Sequence, residues 1–175
     1  MISQTVEYAL RAIVTIAQHD GQPCTAQQLS VITQVPAPYL SKLMQGLVRA
    51  GLVSSRRGLH GGFVLAKDSA KLTIWEVVDA VDPFHRIHEC PLGIKSHGST
   101  LCPLHRRLDQ AMEIVEEMFQ KTTVADVLSE PGSVTPLCEE KKVMMINTNL
   151  AKKRTSKKSS AKKKVKKQSK KRQPR

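Results

Sequence analysis

The C-terminal fifth of the chain limits where folding can occur, because it carries positive charge without any compensating acid. Residues 141–175 contain 16 Lys and Arg and no Asp or Glu, and from residue 151 onward large apolar side chains are almost absent. A segment of this composition buries too little apolar surface to offset the entropy lost on folding. We therefore expect a basic disordered tail over residues 136–175, behind a folded body.

The body is mildly acidic, but its charge is segregated. Of the 28 Lys and Arg in the chain, 12 precede residue 141, against 15 Asp and Glu. No acid lies between Asp20 and Asp68, where five basic residues occur: Lys42, Arg49, Arg56, Arg57 and Lys67. A surface that faces phosphates needs such an acid-free window, because carboxylates would repel the nucleic-acid backbone. The alternative is chance clustering on a solvated face.

Composition and motifs exclude several classes of protein. A hydrophobic fraction of 40% supports a packed core. The sequence has no signal peptide and no run of about 18 apolar residues, so we expect a cytoplasmic protein without membrane contact. Its four cysteines are then thiols or metal ligands rather than disulfides. The glycines at 58–62 lack the Lys and Ser or Thr of a phosphate loop, and no catalytic site assembles, so we predict no enzyme activity.

Apolar spacing near the N-terminus predicts three helices. The first ends at Gly21, and the second covers residues 26–34 behind Thr25 as its N-cap. A third covers residues 38–50. Pro38 suits its first helical position, and Ala37, which precedes a proline, should be extended.

A glycine-rich hairpin follows, with strands over residues 52–56 and 63–66. This order predicts a mainly α fold with a small β-hairpin wing, a winged helix-turn-helix domain over residues 1–83. Its third helix would enter the major groove and its wing would lie along the backbone. The predicted DNA-binding residues are Ser41, Lys42, Gln45, Arg49, Arg56, Arg57 and His60. A small helical domain with an ordinary hairpin is the alternative.

The second predicted domain, residues 84–135, combines a Cys- and His-rich loop with a long helix. It follows a fourth helix over residues 73–80. Apolar residues of the long helix repeat at near-heptad spacing, with Glu113, Glu116 and Glu117 on the solvated side. They are Leu101, Leu104, Leu108, Ala111, Val115 and Met118. We predict a dimerisation helix and a homodimer that reads a palindromic DNA site. A core helix of a single chain could show the same stripe.

The loop carries a second candidate site. Cys90 and Cys102 share residues 85–105 with four of the six histidines, and Cys102 and His105 lie one helical turn apart. Thiolates with imidazoles suit an iron–sulfur cluster or zinc. A metal-free loop with incidental cysteines is the alternative. We interpret Cys24 as a packing thiol and Cys138 as a tail thiol.

Several stretches resemble one family of bacterial regulators. Residues 2–12, 38–53, 57–66 and 74–81 are similar to the first helix, recognition helix, wing and fourth helix of the Rrf-two (BadM-type) transcription regulators. The resemblance covers about residues 1–130 and leaves out the Lys-rich tail. It implies a homodimeric winged-helix regulator, in a family that often senses iron–sulfur status, nitric oxide or redox state through a cluster. Other members lack a cluster and regulate cysteine metabolism.

The resemblance also implies a ligand set. Cluster-binding members have three cysteines in this loop, whereas this chain has two. The spacing of Cys102 and His105 resembles the last two ligands of a cluster-containing member. His97 lies where the middle cysteine is expected, and Glu7 matches an acidic position that in some members reaches the partner's cluster. We expect a two-iron, two-sulfur cluster held by Cys90, Cys102 and His105, with His97 or Glu7 as the fourth ligand. Zinc is the less favoured metal, and the absence of any cofactor stays open.

The sequence therefore predicts a redox, iron–sulfur or nitric oxide sensor that regulates transcription on double-stranded DNA, in the cytoplasm and associated with the nucleoid. The first alternative is a cluster-free regulator that responds to a small ligand or a protein partner. The second is an architectural DNA-binding protein that acts through the Lys-rich tail.

Overall fold

The computed structural model of the chain describes residues 2–58, 60–93 and 101–131. The predictions on His97, on Cys138 and on the tail over residues 136–175 lie outside the described residues. The elements, in chain order, are α1 Gln4–Ala17, α2 Ala26–Thr33, α3 Ala37–Arg49, β1 Val53–Arg56, β2 Gly62–Leu65, α4 Ile74–Val81, α5 Pro103–Lys121 and α6 Val124–Ser129. The predicted mainly helical fold with one β-hairpin is confirmed.

Side-chain caps set the start of the short helices. At α2 the Thr25 hydroxyl accepts from the Gln28 N–H at 3.2 Å, and the Gln28 side chain accepts from the Thr25 N–H at 2.8 Å. Helices α4 and α6 begin with the same reciprocal arrangement, after Thr73 and Thr123. Because each box satisfies two donors that the helix leaves open, the first helical residue is fixed by the sequence.

The expectation that Ala37 is extended is wrong. Helix α3 begins at Ala37, and Pro36 is its N-cap. The Leu40 N–H donates to the Pro36 carbonyl at 3.0 Å, which closes the first turn one residue earlier than predicted. Pro38 then occupies the second helical position, where its missing N–H has no partner inside the helix in any case.

The core lies between α1, α2, α3 and α4, and Val124 of α6 closes one end. The inner face of α3 is buried through Leu40, Met44 and Leu47, all fully inaccessible. The inner face of α3 therefore belongs to the core, and its opposite face is left to the surface. Among the described helices, none is both long and apolar enough to cross a membrane.

The hairpin is tied to the helical body through Cys24. Strands β1 and β2 are antiparallel, with Val53 opposite Leu65 and Arg56 opposite Gly62. Cys24 exchanges two backbone hydrogen bonds with Phe63, at 3.0 and 2.8 Å. Its side chain is buried, as expected for a packing thiol, and burial raises the pKa of the Cys24 thiol to about 11. The wing is thus a two-stranded hairpin that one isolated bridge, between Cys24 and Phe63, joins to the helical body.

Gly62 is required by this attachment. A Cβ at Gly62 would lie 2.7 Å from the carbonyl oxygen of Cys24. Because the obstructing atom is backbone, we expect Gly62→Ala to lower the free energy of unfolding by about 1–3 kcal/mol. Gly46→Ala in α3 should instead raise it by about 0.5–1 kcal/mol, since its Cβ would meet only the Arg49 guanidinium at 4.0 Å. Thermal unfolding of the two variants side by side measures the difference, and equal stability would contradict the close approach.

Candidate nucleic-acid interface and thiol–imidazole pair

The outer face of α3 presents polar side chains to solvent. Lys42, Gln45 and Arg49 are exposed. Ser41 is half-buried, and its hydroxyl donates to the Ala37 carbonyl at 2.9 Å. A further partner of Ser41 must therefore be a donor, whereas Lys42 donates and Gln45 can do both. This mixture of donors and acceptors is what reading base edges in a major groove requires.

The tip of the wing carries the other predicted contacts. Arg56 ends β1, and Arg57 and His60 follow it, all three exposed. The tip closes through the Gly61 N–H, which donates to the Gly58 carbonyl at 3.0 Å. A Cβ at Gly61 would lie 2.3 Å from the Arg56 carbonyl oxygen, so only glycine permits this tight turn. The turn keeps both arginines at the end of the hairpin.

The cations of α3 and the wing pair with none of the acids that the structure describes. In the described ranges, Lys42, Arg49, Arg56 and Arg57 form no ion pair. The only other described Lys and Arg of which this is true are Lys71, Arg106 and Arg107. The ion pairs elsewhere are Arg11–Glu7, Lys67–Glu76, Arg86 with three acids, and Lys121–Glu117. Four of the five cations in the acid-free window therefore carry charge that no described acid pairs with, whereas the fifth, Lys67, pairs with Glu76. The charge of those four is available to phosphates.

Tyr39 is a surface residue of α3 that sequence reasoning missed. It is exposed, and its hydroxyl lies 2.8 Å from the Thr5 hydroxyl. Its ring meets Tyr8 edge to face, with centroids 5.7 Å apart. Tyr39 therefore links the start of α3 to α1 and adds an aromatic ring to the polar face. The available signal was an aromatic residue three positions before Lys42, a spacing that places both on neighbouring parts of the helix surface.

At the other candidate site, the structure brings Cys102 and His105 together. The Cys102 sulfur and His105 Nδ1 are 3.3 Å apart, and both side chains are half-buried at the start of α5. Cys102 is the N-cap of α5 but makes no side-chain capping bond. A thiolate and an imidazole at this separation can bind one metal ion together. The donor chemistry therefore fits the expected metal or cluster.

The remaining expected ligands are not assembled with this pair. Within the part of the chain that the structure describes, no three His, Cys, Asp or Glu residues form a group that could hold a metal ion. Cys90 is half-buried in a turn, where its carbonyl accepts from the Gly93 N–H at 2.9 Å. Glu7 lies on α1 and pairs with Arg11. Among the described residues, the expected ligands that lie adjacent to each other are thus Cys102 and His105.

Helix α5 leaves an apolar face open. It has 19 residues, none of them buried within the described structure. Leu104 is 64% exposed, Leu108 47% and Met118 59%. Leu108 and Met118 also line an apolar groove of about 590 Å³ between α1, α4 and α5. Large apolar side chains are thus exposed along one face of this helix, and a contiguous exposed apolar patch is typical of an interaction surface.

A helix-turn-helix followed by a β-hairpin wing defines the class of winged-helix DNA-binding proteins. The family model for Rrf2, described as an iron-dependent transcriptional regulator, matches residues 2–130. The chain belongs to the Rrf2 family of transcriptional regulators.

Individual relatives agree with this assignment. A protein of Aquifex aeolicus (strain VF5), assigned to the HTH-type transcriptional regulators, is 27% identical over 132 residues, which cover 74% of this chain and 92% of the relative. The structure of T. potens IscR shares 23% identity and a TM-score of 0.62, covering 74% of this chain and 87% of IscR. CymR, the global cysteine regulator of B. subtilis, shares 25% identity and a TM-score of 0.62, covering 75% of this chain and 98% of CymR. The two structures have the same TM-score, so the fold of this chain is no more similar to IscR than to CymR.

Proposed function

We propose that this chain is a homodimeric regulator that binds double-stranded DNA through α3 and the wing, and that a cluster at the start of α5 controls its DNA affinity. The observation that carries the DNA-binding part is the set of exposed cations on α3 and the wing that form no ion pair with a described acid. Residues 1–83 would bind DNA, residues 84–135 would sense and dimerise, and residues 136–175 would add non-specific affinity for phosphates. Its relatives are regulators rather than enzymes, and chromosomal DNA as partner implies a cytoplasmic, nucleoid-associated protein.

The contacts divide between sequence reading and positioning. Ser41, Lys42 and Gln45 lie on the outer face of α3 and would meet base edges. The other four predicted residues would contact phosphates and fix the register of the helix in the groove. They are Arg49, Arg56, Arg57 and His60.

The open apolar face of α5 supports the homodimer. A second copy of the same helix is the self-complementary partner that a two-fold axis supplies. Pairing the apolar faces of two α5 helices would bury the exposed leucines and place two copies of α3 on a palindromic site. The spacing between the two recognition helices would then depend on how α5 is held.

The cluster part rests on the Cys102–His105 pair and on the iron dependence in the family description. Cys90, Cys102 and His105 would hold the group, and His97 or Glu7 would complete it. An iron–sulfur cluster supplies a state that redox change or cluster loss can alter. Recruiting Cys90 to the pair would order the loop against α5, and so couple that state to the dimer helix.

Metal analysis tests this part. We expect equimolar iron and acid-labile sulfide in protein purified without oxygen. Protein that contains zinc without iron or sulfide would hold a zinc ion in place of the proposed cluster. Protein that holds neither, even after reconstitution, would be a cluster-free regulator that responds to a small ligand or a protein partner.

Two substitutions test the DNA-binding surface. We expect Gln45→Ala to relax sequence preference by about 1–3 kcal/mol at one base position, because it removes a base-edge contact. Arg57→Ala should weaken binding to all sequences alike and reduce the slope of log affinity against log salt by about one per protomer, which is about two for the dimer. Footprinting and salt titration distinguish the two effects, and both variants behaving as the parent would contradict the winged-helix interface.

The same assay on a chain without residues 141–175 separates a further alternative. Sequence-specific binding should survive, because recognition lies in the body. If all binding disappeared at moderate salt, the protein would be an architectural DNA-binding protein that acts through its basic tail.

A further inference from the structure

One arginine, Arg86, fixes the segment that follows α4 to helix α5. Arg86 donates to both carboxylate oxygens of Asp109, from Nε at 2.6 Å and from Nη2 at 2.7 Å. The Ile87 backbone N–H donates to the same carboxylate at 3.0 Å. Arg86 Nη1 also lies 3.2 Å from Glu113 Oε1 and 3.9 Å from Glu116 Oε2. A single cation thus meets three carboxylates spaced along one face of α5.

This contact differs from an ordinary surface ion pair. The side chains of Arg86 and Asp109 are 22% and 16% exposed, against 76% and 58% for Lys121 and Glu117 on the same helix. Hydrogen bonds from Arg86 lower the pKa of the Asp109 carboxyl, so the acid stays ionised. A bidentate arginine–carboxylate contact fixes distance and orientation together, whereas an exposed lysine pair fixes little.

The position of the contact relates it to the thiol–imidazole pair. Asp109 follows His105 by four residues and therefore lies one turn further along the same face of α5. Arg86 precedes Cys90 by four residues, a span of roughly 14 Å at full extension. On the other side of Arg86, the Phe84 ring packs edge to face on Trp75 of α4, with centroids 5.0 Å apart. The chain is thus held at two points shortly before Cys90.

We propose that Arg86 is a positioning residue that anchors residues 84–88 to α5 and so delivers Cys90 to the Cys102–His105 pair. The delivery rests on the proposed metal site, whereas the anchoring stands on the hydrogen bonds alone. Removing Arg86 leaves Asp109, Glu113 and Glu116 adjacent without their shared cation, and their repulsion disfavours the docked segment.

The Ile87 amide reports the anchoring directly in the full-length, metal-free protein. We expect Arg86→Met to accelerate hydrogen exchange at this amide by about tenfold or more, because the carboxylate that accepts its N–H loses its fixed position. Lys121→Met, which removes an exposed ion pair of the same helix, is the matched control and should leave the amide unchanged. Asp109→Asn should reproduce the acceleration. Arg86→Lys should restore little, because lysine keeps the charge but not the two parallel bonds.

Cobalt(II) is the probe for the delivery of Cys90, since each thiolate bond to cobalt adds to a charge-transfer band in the near ultraviolet. We expect Arg86→Met to need about tenfold more cobalt and to lose thiolate absorbance, while Lys121→Met titrates as the parent. Unchanged amide exchange in both Arg86→Met and Asp109→Asn would overturn the anchoring. Faster exchange with unchanged cobalt binding would overturn the delivery of Cys90. A parent protein that binds neither cobalt nor iron would overturn the delivery and the proposed metal site together, while the exchange result still decides the anchoring.

Discussion

Replacing Leu108 by Glu is expected to convert the protein to a monomer and to weaken binding to its selected DNA site by about 100-fold or more. Leu108 lies on the open apolar face of α5 and is 47% exposed in the single chain. A two-fold dimer contains every substitution twice, so Leu108→Glu places two carboxylates in the apolar contact between the two α5 helices. There they repel each other and lose their hydration. Each winged-helix domain would then bind a half-site alone, without the higher affinity that two linked DNA-binding domains provide.

Sedimentation and quantitative footprinting on a site selected by the parent protein measure this effect. Gln110→Glu is the matched control, because it adds the same charge on an exposed face of α5 away from the leucine seam. Val115→Glu, seven residues after Leu108 on the same stripe, should act like Leu108→Glu. Thermal unfolding checks that the winged-helix domain remains folded. A dimeric Leu108→Glu protein with normal DNA affinity would place the homodimer contact elsewhere.

Much of the DNA-binding fold could be predicted because its signals are local. The inner face of α3 follows from apolar residues at helical spacing, and its outer face from what remains. The capping box at Thr25 involves residues three apart, and the hairpin follows from its glycines. The error at Ala37 has the same local origin. The rule for residues before proline describes an average preference, and here the Leu40 N–H closes the helical turn onto Pro36.

The site on α5 could be predicted only where its members are near in sequence. Cys102 and His105 meet because residues three apart in a helix are neighbours. Arg86 and Asp109 are separated by 23 positions, and no periodicity connects them. The placement of Glu113 and Glu116 on a merely solvated face therefore overlooked their contacts with Arg86. The expected role of Glu7 concerns a second subunit, which the sequence of one chain does not position.

Cys102→Ser is expected to reduce bound iron and acid-labile sulfide by roughly tenfold or more, without lowering the stability of the fold. Cys102 is the N-cap of α5 and makes no capping bond through its side chain. Serine is among the best N-cap residues and is worth about 1 kcal/mol more than a residue that does not cap. The substitution therefore removes a thiolate ligand while it strengthens the start of the helix. Absorbance between about 400 and 500 nm should fall in parallel with the sulfide content.

The loss of metal without a loss of fold stability distinguishes the removal of a ligand from damage to the fold. A variant that merely damaged the fold would lose the cluster and melt below the cluster-free parent, whereas Cys102→Ser should melt at the same temperature as the cluster-free parent or higher. Cys138→Ser is the control thiol and should keep the parent's iron, sulfide and DNA affinity. If the cluster controls DNA binding, the affinity of Cys102→Ser should equal that of the cluster-free parent and should not change on exposure to oxygen. Full iron and sulfide content in Cys102→Ser would show that other residues hold the cluster. The thiol–imidazole pair would then have no part in sensing.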